Sequence, residues 1–195
     1  MRARLALTVA LGVLLLPSAA CAVQPPLTAT AGGQPTSAPV VIAPAQWQPG
    51  GPMRTPAGPA VLTVTGKIAQ SNNGSALRLD TAMLDELGLV QVDVYDPWVK
   101  KEIRLRGTWL QDLIEVAEPT SGAQTVHFKA LDDYQIDLSL ADVRAGGILL
   151  ATRAGDGSPI PIQDGGPARI VFVGDVPAGA SADQWIWNIT MIDVR

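Results

Sequence analysis

The residues best suited to chemistry fall in the second half of the chain. Arg169 follows Gly165-Gly166-Pro167. Two glycines let backbone amides approach an anion, and a guanidinium adds a planar fork of donors. The same residues also suit a plain hairpin turn at Asp164-Gly165-Gly166, with Arg169 on a solvated strand face. Trp98, Trp185 and Trp187 come next. Trp185 and Trp187 are two apart, which in a strand puts them on one face, and with Trp98 they can wall an apolar cleft for a flat ligand. Packing at the end of a core uses tryptophan in the same way. The adjacent carboxylates Asp132 and Asp133 suit acid–base work where burial separates their proton affinities, but neighbours on a turn usually point apart into water. Tyr134 beside them either brings a hydroxyl to a pocket or packs. Arg104 and Arg106 share a strand face and either meet an anion or face solvent. His127 is the one histidine. A lone imidazole builds no His-based metal site, so it reads as a strand-surface residue. These patterns yield no catalytic residue and no metal-ligand set.

The elements that must position these side chains are short. Alternation predicts strands at Val61–Ile68 ("VLTVTGKI") and Leu89–Tyr95 ("LVQVDVY"), with a further strand at "KEIRLR" after the turn "DPW". "LDTAMLDELG" predicts a short helix, N-capped by Asp80 and ended by Gly88. "GTWLQDLIEVAE" is the clearest helix: Thr108 and Gln111 fit a capping box, Trp109, Leu110, Leu113, Ile114 and Ala117 make one apolar face, and Pro119 stops it. "QTVHFKAL" and "DDYQIDL" read as strands, then "SLADVRAG" as a helix capped by Ser139. "GILLATR" is an unbroken apolar run, hence a buried strand, and "RIVFVG" and "WIWNITMIDV" close the chain as strands. The fold class expected is α+β, with β-rich mixed sheets and short helices.

Composition sets bounds. Hydrophobic residues make up 47% of the 195 residues, enough for a core, and the net charge of −4 without a basic run argues against a nucleic-acid partner. Residues 1–22 read as an export signal: Arg2 and Arg4, an apolar run from Leu5 to Leu16, Pro17, then small residues. The destination expected is the periplasm, cell envelope or extracellular space. Cys21, the only cysteine, also suits a lipoprotein signal, in which a lipid at Cys21 would tether the chain to a membrane. Ser18, though, stands where such signals carry a large aliphatic residue. Residues 23–60 hold nine of the sixteen prolines, five glycines and a single charge, Arg54, and read as a linker ahead of a domain at 61–195.

Five pieces in register resemble the oxidoreductase molybdopterin-binding domain of the sulfite-oxidase type, in its short exported single-domain form. They are "LTVTGKI", "LRGTWLQDLIEVA", "KALDDYQIDLSLADV", "GILLATRAGDGSPIPIQDGGPARIVFV" and "QWIWNITMIDV". The resemblance implies a sulfite-oxidase-like fold and a pterin-type cofactor, held by basic side chains and backbone amides. In catalytic members a cysteine thiolate also binds molybdenum. Residues 61–195 contain no cysteine, so molybdenum is not expected, and the leader lacks the adjacent arginines of a signal for folded, cofactor-loaded proteins. The implied function is a binding module for a pterin-like or small anionic ligand. Gly165, Gly166 and Arg169 would form its anion side and Trp98 and Trp185 its flat walls. A molybdenum oxidoreductase with a non-cysteine ligand, and a cell-envelope structural or interaction domain without cofactor, stay open as alternatives.

Overall fold

The computed structural model describes residues 37–47, 50–177, 179–181 and 184–195. The leader, Cys21 and the first part of the linker lie outside the described residues. Ten strands and three short helices follow in the order β1 (Val40–Ala43), β2 (Leu62–Gly66), β3 (Leu77–Leu79), α1 (Thr81–Glu86), β4 (Leu89–Asp96), β5 (Lys101–Trp109), α2 (Leu110–Ala117), β6 (Thr125–Ala130), β7 (Gln135–Ser139), α3 (Leu140–Ala145), β8 (Ile148–Ala154), β9 (Arg169–Phe172) and β10 (Ile189–Val194). A single 3-10 turn, Ile162–Asp164, precedes β9.

The strands form two five-stranded sheets, one ordered β1-β4-β5-β8-β9 and the other β3-β2-β10-β6-β7. The first is antiparallel throughout. The second is mixed, because β10 pairs parallel with β2 and antiparallel with β6. This is the α+β, mixed-sheet architecture expected. Side chains alternate across the pleat, so Leu62 and Val64 of β2 and Val90, Val92 and Val94 of β4 face inward. Strand β8, flanked by β5 and β9, is covered on both faces, and Ile148 to Ala151 are all buried, as its unbroken apolar run requires. Helix α2 adds Leu110, Leu113, Ile114 and Ala117, each fully buried; burial of the larger ones contributes about 1.5–3 kcal/mol apiece.

Asp80 caps α1 by accepting from Met83 N, and Ser139 caps α3 by accepting from Asp142 N, as their positions predict. Four local readings change. Thr108 does not cap α2: β5 continues through Trp109 and Thr108 pairs with Leu150 of β8, so sheet pairing overrides the capping box. Strand β10 begins only at Ile189, which leaves Trp185 and Trp187 in an irregular segment. His127 is not on the surface; it is 8% exposed and its Nδ1 lies 2.7 Å from Asp137 Oδ1 across the β6–β7 pair. Part of the proline-rich stretch also has structure of its own. Val40–Ala43 extends the first sheet beside β4, Trp47 Nε1 donates to Glu86, and Arg54 pairs with Glu86 at 2.8 Å. The carboxylate of Asp80 accepts from the Ala57 and Gly58 amides, so residues 50–60 are strapped to the start of α1.

Candidate functional site

Strand β9 delivers Arg169 into the interior, where it is 4% exposed. Neither a solvated face nor an open anion fork describes it. Its Nη2 donates to Asp96 Oδ2 at 2.6 Å, and Asp96, the last residue of β4, is fully buried. The other Asp96 oxygen accepts from the Trp98 and Val99 amides at 2.8 and 3.2 Å, closing the turn that "DPW" begins. One carboxylate therefore ties the Trp98 loop to Arg169. The guanidinium lies 4.3 Å from the centroid of the Trp187 ring and 6.0 Å from that of Trp185, within cation–π range. Burial pulls Arg169 below the ordinary arginine range, and the Asp96 bond opposes that pull.

The turn before β9 is built for this stack. Gly165 ends the 3-10 turn with φ of +96°, and a Cβ there would lie 3.0 Å from Trp187 ring atoms, so only glycine lets the indole lie against the backbone. A Cβ on Gly166 would fall 1.8 Å from the Ile160 carbonyl oxygen. Their amides, expected to face an anion, are instead used within the turn: Gly165 N donates to Ile162 O and Gly166 N to Pro161 O. The Asn188 side-chain amide then donates to Ile162 O and Gly166 O at 2.7 and 2.6 Å, fixing the turn against the tryptophan segment.

Three donors of this stack have no hydrogen-bond partner among the described residues: Arg169 Nε, Trp185 Nε1 and Trp187 Nε1. An unpaired buried donor costs about 1–3 kcal/mol, and buried polar groups are nearly always satisfied. Two cavities flank the stack. One, of about 310 Å³, is lined by Trp98, Asp132, Tyr134, Trp185, Trp187 and Asn188. The other, of about 390 Å³, is lined by Lys101, Arg104, Ile160, Asp164, Arg169 and Trp187 among others. Trp187 is the wall common to both. Trp98, at 55% exposed, and Tyr134, at 46%, form an open aromatic rim.

Arg169, Gly165, Trp185 and Trp98 thus converge, and Gly166 shapes the turn from behind. The other candidates scatter. Arg104 makes two bonds to Asp93, and Arg106 donates to Gln91 on the neighbouring strand. Asp133 pairs with Lys129 at 2.7 Å, which lowers its proton affinity, whereas Asp132 lines the smaller cavity, so the two carboxylates do not act together. Asp96 was missed entirely. It reads as a turn residue, and its partner lies 73 positions away.

The family model of the oxidoreductase molybdopterin-binding domain matches residues 65–195. The chain belongs to this family. No curated protein matches it. Among solved structures it is similar to the sulfane dehydrogenase SoxCD from Paracoccus pantotrophus, with 13% identity and a TM-score of 0.50. The likeness covers 68% of this chain and 37% of that one, and at this identity it speaks for the fold alone. The stretch matched by the molybdopterin-binding family holds no cysteine, so no thiolate, a soft anionic metal ligand, is supplied there. No group of three or more His, Cys, Asp or Glu side chains placed to hold a metal occurs among the described residues.

Proposed function

We propose that this chain is an exported binding module of the molybdopterin-binding family that holds a pterin-like ligand in its tryptophan cleft, without molybdenum redox chemistry of its own. The observation that carries the reading is the aromatic lining of the smaller cavity, Trp98, Tyr134, Trp185 and Trp187 around about 310 Å³, with the Arg169 guanidinium 4.3 Å from the Trp187 ring. A pterin has a flat face, an edge rich in ring-nitrogen and carbonyl acceptors, and an amino edge that donates. The indole walls match the face. Asp132 and the Asn188 side-chain oxygen, beside the same walls, offer acceptors for the amino edge. Burying such a ring against tryptophan removes apolar surface from water, and that drives binding.

The test is a fluorescence titration of the purified chain with unsubstituted pterin. Saturable quenching of tryptophan emission is expected. Trp187→Ala, which removes the wall common to both cavities, is expected to weaken binding by about tenfold or more, a loss of about 1.4 kcal/mol or more. Wild-type protein that shows no saturable quenching would sink the reading.

A further inference from the structure

Resting on the pterin-cleft reading above, we infer that Asp96 stands, from within the chain, where a ligand's anionic group would otherwise meet Arg169, so that the cleft selects uncharged flat heterocycles over phosphate-bearing ones. The argument starts from how the positive charge is used. Arg169 is the most buried cation of the site, and the short bond from its Nη2 to Asp96 Oδ2 joins two side chains that are 4% and 0% exposed. Its Nη1 is turned to the Asp164 carbonyl at 3.3 Å. The Gly165 and Gly166 amides, the other donors suited to an oxyanion, are bonded to Ile162 and Pro161 carbonyls. Nothing built to hold an oxyanion is left free in the turn.

The charge of the guanidinium is thus balanced within the chain, and its Nε is buried together with the indole N–H groups of Trp185 and Trp187. What the cavities present to a ligand is aromatic surface, which suits a flat uncharged ring. A phosphate entering the larger cavity would meet Glu102 and Asp164 in its lining, and the Arg169 charge it would need is already held by Asp96. Lys101 and Arg104 also line that cavity, but Arg104 is held by Asp93 and Lys101 is exposed to solvent, which screens it. The Asp96 geometry also accounts for selectivity and shape at once. The carboxylate that neutralises Arg169 is the one that folds the Trp98 rim through the Trp98 and Val99 amides.

The experiment uses the full exported chain in two arms. In the first, 6-hydroxymethylpterin and its phosphate ester are titrated against the wild type, following tryptophan fluorescence. The expected result is that the neutral pterin binds at least about tenfold tighter, the consequence of one unscreened like-charge contact. Equal or tighter binding of the ester would overturn the inference while leaving the pterin cleft standing. The second arm needs no pterin: thermal melts in inorganic phosphate against chloride at equal ionic strength. The wild type should be indifferent. Asp96→Asn, which keeps an oxygen for the Trp98 and Val99 amides, should melt lower in chloride and regain about 3 °C or more in saturating phosphate. A wild type stabilised by phosphate as much as the variant would overturn the inference, even if neither pterin binds and the cleft reading itself fails. If Asp96→Asn does not fold, the wild-type results of both arms decide alone.

Discussion

Two buried or half-buried arginine–aspartate pairs have their arginines on neighbouring strands of the same sheet and are built differently. Arg153, on β8, meets Asp85 through three contacts of 2.6–3.1 Å and gives its Nη1 to the Gly157 carbonyl at 3.0 Å, so every nitrogen has a partner. Its side chain and that of Asp85 are 22% and 24% exposed. Arg169, on β9, meets Asp96 through one 2.6 Å contact, is sealed from water, and keeps Nε unpaired beneath a tryptophan. The first arrangement is what stability alone selects: a bidentate fork, half in water, with nothing unsatisfied. The second keeps charge and unused donors in the interior, which raises the energy of the free protein and makes sense where something else completes it.

That contrast can be broken from either side. The largest effect is expected at the sealed pair. Asp96→Ala leaves a buried guanidinium uncompensated and should lower unfolding stability by about 3–5 kcal/mol in urea titrations. Adding Arg169→Met to that variant should return a large part of the loss, because the pair together is close to neutral against an apolar replacement. If Asp96→Ala costs no more than a surface change, the pair is not sealed as described. Arg153→Ala is expected to cost about 1–2 kcal/mol, since the freed carboxylate of Asp85 can turn to water.

A smaller effect sharpens the comparison with a carboxylate that is fully used. Burial raises the proton affinity of Asp80, but bonds from the Met83, Gly58 and Ala57 amides and the nearby Arg54 charge outweigh it and hold its pKa below the usual aspartate value. A depressed folded pKa means the stabilisation is fully present above the unfolded value of about 3.9 and is lost as pH falls through the lower folded value. Hydrogen exchange at the Ala57 and Gly58 amides should therefore accelerate below about pH 4, relative to core amides such as Leu150. In Asp80→Asn this acid step should vanish, at a stability cost of about 1 kcal/mol from the lost acceptor for the Ala57 and Gly58 amides. Unchanged acid sensitivity in the variant would assign the step elsewhere.

Much of the scaffold was legible because its signals are local. The apolar run of β8, the Asp80 and Ser139 caps and Gly88 each announce themselves within a few residues. The site was legible only in part. Arg169, Gly165, Trp98 and Trp185 stood out by type and spacing, yet the reason offered for the tryptophans, a common strand face, does not hold. The backbone from Trp185 to Asn188 is irregular, and Asn188 has a positive φ of 56°. Asp96 was invisible for a different reason: its local role closes a turn, while its decisive contact is to a strand far along the chain. Strand β1 escaped notice because prolines at positions 39 and 44 flank its short β-branched run, and the pairing that makes it a strand comes from β4.

The central claim, that the cleft holds a pterin and the chain does no molybdenum chemistry, is tested most directly on protein purified from its native host. Acid oxidation should release a fluorescent pterin at close to one per chain, and elemental analysis of the same sample should find molybdenum far below one per chain. Near-stoichiometric molybdenum would contradict the account, and so would a sample that yields no pterin at all.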